Sequence, residues 1–342
     1  MRYVQLADTD LTVSAIALGC GNFGGIGSAP ELFGRGEDRE AAFALMDTAR
    51  EAGITLFDTA NAYGGGRSED WVGQWLASRG ARDDIVLTTK VRNRVGPGPD
   101  DEGLSARHIR AQIDASLRRL GTDRVDLYLA HEPDPGVPIE ETLDAFDELV
   151  QAGKIRHHGL SNYSAAEVDE AAEAAGRAGG SRPVNLQSGY SLLDRAAGGD
   201  VFDACGRHGL AFTAYSPLAG GWLSGKYRAG APIPAGSRMS LRPEPYRHWQ
   251  TDATYGALDE LAGAARDRGL SLPTLALAWV LTDPGVTAIV VGPRRPDQLA
   301  PAVEALDVAL THDERTAFAA IVDQPAADHP AADRSGPEAP AG

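Results

Sequence analysis

The sequence alternates eight short strand-like segments, most of them apolar, with segments of helical periodicity, and this alternation restricts the chain to few folds. Strand-length runs that alternate with amphipathic helices predict βαβ units with parallel strands. The predicted strands lie at residues 13–18, 54–57, 85–89, 126–130, 157–160, 184–187, 210–215 and 288–291. The helical patterns lie at residues 37–52, 68–80, 105–121, 138–150, 165–175, 201–207, 253–268, 274–282 and 297–306. Because no break in composition divides these units, we predict a single α/β domain over residues 1–322, a (β/α)8 TIM barrel.

The two ends of the chain lie outside the predicted βα units. Residues 1–13 have the pattern of a short β-hairpin with residues 8–10 in the turn. Residues 323–342 contain Pro and Ala with few apolar anchors, which predicts a disordered C-terminal tail. Residues 216–252 form a long connection rich in Gly, Pro and Arg. Connections of this length in compact domains are usually functional or disordered.

Composition and charge disfavour several classes of partner. The 342 residues carry a formal net charge of −16, which repels nucleic acid and anionic lipid. No segment approaches the roughly 20 apolar residues of a membrane-spanning helix, and the N-terminus has no apolar stretch of a signal peptide. Cys20 and Cys205 form no CxxC motif. We therefore expect a cytoplasmic protein whose partner is a small molecule.

Four ionisable side chains lie at the ends of predicted strands or just beyond them. Asp58 and Tyr63 follow the second strand, Lys90 ends the third, and His131 follows the fourth. In an eight-stranded barrel these positions meet at the C-terminal mouth, where such folds have their active sites. Tyrosine has an unperturbed pKa of about 10, and a neighbouring cation favours its phenolate. The four groups together can give a proton to a carbonyl oxygen that becomes an alkoxide.

Each of these residues also has a structural interpretation. A tyrosine in a loop usually packs half-buried, and a lysine–aspartate pair is usually structural. A histidine at a strand end is more often hydrogen-bonded than catalytic. Their joint placement on three consecutive strands favours the catalytic interpretation.

The loops after strands seven and eight have the composition of a phosphate-binding site. Residues 216–226 contain several glycines, Ser216 and Lys226, and residues 292–298 follow the eighth strand. Close approach of backbone to a pyrophosphate needs such residues, and barrels of this kind often bind phosphate there. An ordinary glycine-rich surface loop is the alternative. Residues 24–27 are also glycine-rich, but no helix follows directly, which disfavours a Rossmann-type site.

Five motifs follow one another along the chain. They are residues 53–64 together with Ser68 and Glu69, then 117–128, 153–162, 214–226 and 290–299. By these motifs the chain resembles the aldo-keto reductase superfamily over about residues 2–307. The resemblance implies that Tyr63 is the general acid and that Lys90 is its pKa partner. It also implies that Asp58 anchors Lys90, that His131 orients the carbonyl, and that NADPH reduces an aldehyde or ketone to an alcohol.

The same resemblance implies a set of cofactor-binding residues. In chain order they are Gly21, Asn22, Phe23, Asp58, Ser161, Asn162, Gln187, Tyr215, Ser216, Pro217, Leu218, Gly220, Lys226, Gly292, Arg294, Arg295 and Gln298. Ser161, Asn162 and Gln187 match the ligands of the nicotinamide carboxamide. Tyr215 matches the ring that stacks on the nicotinamide.

The adenosine end of the cofactor site both follows and departs from the family pattern. Gln298 matches the adenine contact, and Arg294 and Arg295 lie where family members bind the ribose. Guanidinium groups suit a 2′-phosphate, which favours NADPH over NADH, although two surface arginines can equally be solvated. Pro301 and Ala302 stand where family members commonly have an acidic residue and an asparagine, which predicts the loss of an adenine hydrogen bond.

The sequence suggests the walls of a substrate pocket and leaves a second function class open. The candidate wall residues are Phe23, Phe33, Trp222, Tyr246 and Trp249. Their rings can stack on a sugar or pack internally. Residues 103–109 resemble actinobacterial-type family members that act on sugars. Potassium-channel β subunits also resemble this family, so a cofactor-binding regulatory subunit is the alternative. The short N-terminus and the polar tail offer no added interaction segment, so we expect an enzyme.

Overall fold

Eight parallel strands close into a barrel within residues 1–323, which are the residues that the computed structural model describes. The strands are β3 (Ile16–Gly19), β4 (Leu56–Asp58), β5 (Val86–Val91), β6 (Val125–Ala130), β7 (Ile155–Ser161), β8 (Asn185–Gly189), β9 (Ala211–Tyr215) and β10 (Ala288–Val291). Each strand pairs with its neighbours in sequence, and β10 pairs with β3 to close the barrel. The predicted (β/α)8 barrel is confirmed.

An antiparallel hairpin of β1 (Tyr3–Gln5) and β2 (Thr12–Ser14) precedes the barrel, as predicted. The chain changes sheets at Ala15, whose amide donates to Arg2 of the hairpin while its carbonyl accepts from Ile289 of the barrel. The first predicted run therefore divides between two sheets. The hairpin packs its apolar side chains against the barrel interior. This closes the end of the barrel opposite the C-terminal mouth.

Eleven helices lie within the described residues. They are α1 (Arg39–Glu51), α2 (Arg67–Arg79), α3 (Ala106–Leu120), α4 (Ile139–Gln151), α5 (Ala165–Ala178), α6 (Asp200–His208), α7 (Arg238–Leu241), α8 (Asp252–Asp267), α9 (Leu272–Leu281), α10 (Ala300–Ala305) and α11 (His312–Asp323). Ser105 caps α3 and Gly121 ends it, as the sequence indicates. None of the described helices is long and apolar enough to span a membrane.

Three local predictions differ from the structure. Ser68 does not cap α2, because Gly66 holds that position and the Ser68 hydroxyl donates to the carbonyl of Cys20 instead. The last predicted helix begins as a 3-10 turn at Pro296–Leu299. Helix α11 was not predicted, since Phe318 is its one buried side chain. The predicted tail lies outside the described residues, except for Asp323 at the end of α11.

Candidate active site

The structure brings Asp58, Tyr63, Lys90 and His131 together at the C-terminal mouth of the barrel. Lys90 Nζ lies 2.7 Å from Asp58 Oδ2 and 3.5 Å from Tyr63 Oη. Tyr63 Oη lies 3.4 Å from His131 Nε2. Lys90 and Asp58 are buried, whereas Tyr63 and His131 are partly exposed. The phenol and the imidazole are therefore the two groups of this set that a bound molecule can reach.

The lysine is held from three sides. Its ammonium donates to Asp58 Oδ2, to the carbonyl of Thr59 at 2.9 Å and to Tyr63 Oη. The second oxygen of Asp58 accepts from Gln187 Nε2 at 2.9 Å. An ammonium has three donors, so this arrangement uses all of them and fixes the charge beside the phenol.

Burial and charge set the protonation states of these groups. Burial alone lowers the pKa of Lys90, but the charge of Asp58 and the contact with Tyr63 more than offset it and raise the pKa. Burial raises the pKa of Tyr63, and the positive charge of Lys90 opposes this without cancelling it. Burial lowers the pKa of His131 well below its usual range, and Lys90 lowers it further. At neutral pH the site thus holds an ammonium, a neutral phenol and a neutral imidazole.

Two tight loops fix the position of Tyr63. The loop after β3 packs on the loop that carries Tyr63, and a Cβ on Gly21 would lie 3.5 Å from the phenol ring. Gly64 has φ of 59°, and a Cβ there would lie 2.5 Å from the carbonyl oxygen of Phe23. A side chain at position 64 would therefore push the two loops apart. The backbone amide of Cys20 donates to the carbonyl of Asp58, which ties the same loops together.

The residues matched to the nicotinamide end lie next to these groups. Asn162 has φ of 63°, and its Nδ2 donates to the carbonyl of His131 at 2.9 Å. Tyr215 Oη donates to Asn162 Oδ1 at 2.7 Å. Ser161 is buried at the end of β7. The amide nitrogen of Gln187 donates its hydrogen bond to Asp58. These side chains thus form a polar rim along the ends of β7, β8 and β9.

The loop after β9 folds tightly over its own glycines. Ser216 and Gly220 have positive φ values, and residues 219–224 form 3-10 turns. A Cβ on Gly221 would lie 2.3 Å from Lys226 Nζ, so the lysine side chain folds back along the loop. Pro217 is buried and Leu218 half-buried, which anchors the start of the loop.

The residues matched to the adenosine end divide into two groups. The Arg294 guanidinium pairs with Glu37 and donates to the carbonyl of Gly236 at 2.6 Å. The Arg294 backbone amide donates to Gln298 Oε1 at 2.8 Å. Arg295 is exposed and instead pairs with Asp297 of its own turn at 2.9 Å. Arg294, unlike Arg295, therefore faces the loop that precedes α7.

A cluster of four cations, which we call the basic cluster, lies beside these loops: Lys226, Arg238, Arg242 and Arg294. Arg238 donates to Asn22 Oδ1, and Asn22 Nδ2 donates to the carbonyl of Gly292 at 3.3 Å. Burial lowers the pKa of Arg238, and the charges of Arg242 and Arg294 lower it further. Within residues 1–323 only Arg294 of this cluster has a carboxylate partner. Such unpaired cations suit an anionic ligand.

Sequence reasoning missed Arg238 and Arg242, although a signal for them exists. Residues 216–251 contain five basic residues and one acidic residue in a chain of net charge −16. Sequence reasoning also placed Phe23 and Trp222 in the substrate pocket. Both are fully buried and pack in the core, so they expose no surface to a ligand. The other three candidate wall residues are partly exposed.

Comparisons with known proteins identify the family of the chain. A family model described as the aldo/keto reductase family matches residues 15–323. The chain is 35% identical to the uncharacterized oxidoreductase YrpG of Bacillus subtilis, with 91% of this chain and 92% of the relative covered. It is 35% identical to a probable voltage-gated potassium channel subunit beta of rice, with 90% and 92% covered. It is 33% identical to an L-glyceraldehyde 3-phosphate reductase of Escherichia coli K12, with 90% and 88% covered. The chain therefore belongs to the aldo/keto reductase family.

Proposed function

We propose that this protein is an NADPH-dependent oxidoreductase that reduces an aldehyde or ketone to an alcohol, with Tyr63 as the general acid. One observation carries the proposal. The partly exposed Tyr63 hydroxyl lies within 3.5 Å of both the Lys90 ammonium and the His131 imidazole. A phenol in contact with a cation and an imidazole is an arrangement suited to giving a proton to a carbonyl oxygen.

The described residues fit a nicotinamide dinucleotide. The polar rim of Ser161, Asn162 and Gln187 lies beside Asp58, Tyr63, Lys90 and His131, which we call the tetrad, and two of its side chains hydrogen-bond to tetrad residues. Three of the four cations of the basic cluster, Lys226, Arg238 and Arg242, have no carboxylate partner among residues 1–323, and they lie at the next loops. When bound, the reduced nicotinamide supplies the hydride. We assign to the cofactor the chain positions that the family resemblance implies, except the fully buried Phe23, and we add Arg238.

The four residues of the tetrad divide the remaining work. The substrate oxygen binds between Tyr63 Oη and His131 Nε2, and both groups hydrogen-bond to it. As negative charge develops on that oxygen, Tyr63 gives it a proton. The adjacent Lys90 ammonium stabilises the phenolate that remains, because opposite charges attract strongly where water is excluded. Asp58 and Gln187 keep Lys90 charged and in place.

The preference for NADPH rests on the basic cluster. NADPH carries a 2′-phosphate that NADH lacks, and guanidinium groups bind phosphate well. The cluster contains three guanidinium groups, those of Arg238, Arg242 and Arg294. Among residues 1–323, Arg238 and Arg242 have no carboxylate partner, whereas Arg294 pairs with Glu37. We also propose a cytoplasmic location, because the net charge is −16 and both described cysteines are free and buried.

Substitution of Tyr63 by Phe tests the mechanism. The change removes the acid and keeps the ring, so we expect kcat to fall about 10²-fold or more while cofactor affinity is unchanged. The loss of NADPH absorbance is followed with a panel of aldehydes, ketones and sugars. The panel includes a three-carbon aldehyde phosphate, because the Escherichia coli relative is named as an L-glyceraldehyde 3-phosphate reductase. Equal turnover by the wild-type protein and the variant would contradict the role of Tyr63.

A cofactor-binding regulatory subunit is the second candidate, since the rice relative is named as a potassium channel subunit. The two functions differ in turnover. A regulatory subunit binds NADPH without sustained oxidation in the presence of carbonyl compounds. An enzyme oxidises many equivalents of NADPH. Binding without turnover across the whole panel would favour the regulatory function.

A further inference from the structure

We propose that Asn93 is a positioning residue that sets the tautomer of His131, so that the ring proton lies on Nε2 and faces Tyr63 and the substrate oxygen. The inference rests on the proposed function for its catalytic meaning. The geometry that carries it does not depend on that function.

The side-chain amide of Asn93 lies on the far side of the His131 ring from Tyr63. Its Nδ2 lies 3.4 Å from His131 Nδ1 and 3.2 Å from Ser28 Oγ. An amide nitrogen carries two hydrogens, so it can donate to both atoms at once. The other ring nitrogen, Nε2, lies 3.4 Å from Tyr63 Oη. The imidazole is therefore held between an amide and the phenol.

The backbone brings Asn93 to this place. Arg92 has φ of 139°, a region that non-glycine residues rarely adopt. The amide of His131 donates to the carbonyl of Val91 at 2.8 Å, which ties the ends of β5 and β6 together. Arg92 also pairs with Glu132 at 2.8 Å, the residue after His131. Unusual backbone that is over-determined by its surroundings is common at functional sites.

A neutral imidazole has a single ring proton, and its partners decide which nitrogen carries it. The charged groups around His131 are Lys90 on β5, Arg92 after β5 and Glu132 after β6. Burial and the two cations keep the ring neutral. An amide N–H that donates to Nδ1 requires a lone pair there, which leaves the proton on Nε2. The ring then donates towards the substrate oxygen instead of competing for the proton of Tyr63.

If the Asn93 amide had the opposite orientation, the opposite tautomer of His131 would be expected. Asn93 Oδ1 would then accept from the Ser28 hydroxyl and from a proton on Nδ1, because amide nitrogen and oxygen occupy similar positions. His131 Nε2 would carry a lone pair and would accept a hydrogen bond from Tyr63. The two orientations thus predict different protonated nitrogens, and nitrogen NMR distinguishes them directly.

The test measures the ring nitrogens of His131 in the full chain, labelled with 15N-histidine and saturated with NADP⁺ at neutral pH. The chain has eight histidines, and the His131 signals are assigned by their loss in His131→Gln. We expect long-range proton–nitrogen spectra to show a protonated Nε2 and an unprotonated Nδ1. A protonated Nδ1 in the wild-type protein would overturn the proposal.

Two substitutions of Asn93 extend the test. In Asn93→Asp a carboxylate replaces the donor, so the proton should move to Nδ1 or the ring should become cationic. In Asn93→Leu neither tautomer is held, and the signals should average between the two forms. Loss of one hydrogen bond predicts that kcat for Asn93→Leu falls about two- to tenfold, with a larger loss for Asn93→Asp.

A control separates the added charge from the position. Gln74→Glu adds the same charge on an exposed face of α2 and should leave both the ring signals and kcat at wild-type values. Unchanged ring signals in Asn93→Asp and Asn93→Leu would refute the role of Asn93. The nitrogen signals are read without turnover. A protein with no reductase activity but the expected signals would therefore contradict the proposed function and leave the tautomer assignment standing.

Discussion

Substitutions that remove the Lys90 ammonium should change the free energy of unfolding and the catalytic rate independently of each other. Lys90 is 1% exposed and Asp58 is 4% exposed, and their charged atoms lie 2.7 Å apart. In Lys90→Met the carboxylate of Asp58 stays buried without its cation. Breaking a buried pair in this way costs about 3–5 kcal/mol. Because Gln187 still donates to Asp58, we expect a loss near the lower limit, about 3 kcal/mol.

A second substitution shows whether that cost comes from the stranded charge. In Lys90→Met with Asp58→Asn both charges are absent, and Gln187 can still donate to the Asn oxygen. Replacing both partners of a buried pair by neutral groups is often nearly neutral, so most of the roughly 3 kcal/mol should return. Turnover should not return, because Tyr63 has no cation to stabilise its phenolate. Stability and activity would then respond to different parts of the same cluster.

Urea unfolding followed by tryptophan fluorescence measures the stability, and NADPH oxidation with an accepted aldehyde measures kcat. The comparison is made among the wild type, both single variants and the double variant. Two results would refute the reasoning. One is a Lys90→Met variant as stable as the wild type, and the other is a double variant less stable than Lys90→Met.

Three further predictions concern other parts of the molecule. Arg238→Met should weaken NADPH binding about tenfold or more and leave NADH nearly unaffected, whereas Arg228→Met on the same segment should change neither; fluorescence titration measures both. Gly73→Ala should destabilise the protein by about 1–3 kcal/mol, because the added Cβ would lie 2.5 Å from a backbone oxygen of α3. Gly206→Ala, on an open helix face, should instead stabilise it by up to about 1 kcal/mol, and urea unfolding measures both changes. Burial lowers the pKa of His158 to about 4, so the neutral imidazole contributes stability above pH 6.5 that is lost as pH falls towards 4. Between pH 7 and pH 5 the free energy of unfolding should therefore fall by about 2 kcal/mol more in the wild type than in His158→Gln, as measured by urea unfolding at the two pH values.

The barrel and the tetrad were predictable because both depend on strong local signals. The strands β4, β5 and β6 each contain a short apolar stretch, and each of Asp58, Lys90 and His131 stands at or next to the end of one. Parallel strands in a barrel bring their carboxyl ends together whatever the details of packing. Knowledge of the strand ends was therefore enough to predict that Asp58, Lys90 and His131 meet, whereas the place of Tyr63 depends on the loop after β4.

Contacts that depend on long-range packing were not predictable in the same way. Ser68 is of a residue type that is favoured at helix caps, but the turn that follows Tyr63 shifts the start of α2 to Arg67. The Ser68 hydroxyl therefore donates to the carbonyl of Cys20 instead. Asn93 reaches His131 only because Arg92 adopts an unusual φ. The choice of Arg295 as a phosphate ligand rested on its position alone, and its pair with Asp297 depends on side-chain rotamers. Periodicity carries no information on any of these.

We propose that the distribution of charge makes the site selective for an anion in an acidic protein. The chain has a net charge of −16, yet residues 216–251 hold five basic residues and one acidic residue. Surface charges farther away than about 8–10 Å are screened at physiological salt, whereas the half-buried Arg238 and Arg242 would be screened less from an anion bound beside them. We expect a large polyanion such as nucleic acid to be repelled, because it would meet the whole surface. A dinucleotide small enough to enter the mouth would, on our proposal, meet mainly the basic cluster, so that the acidic surface and the cationic site would favour the same class of ligand.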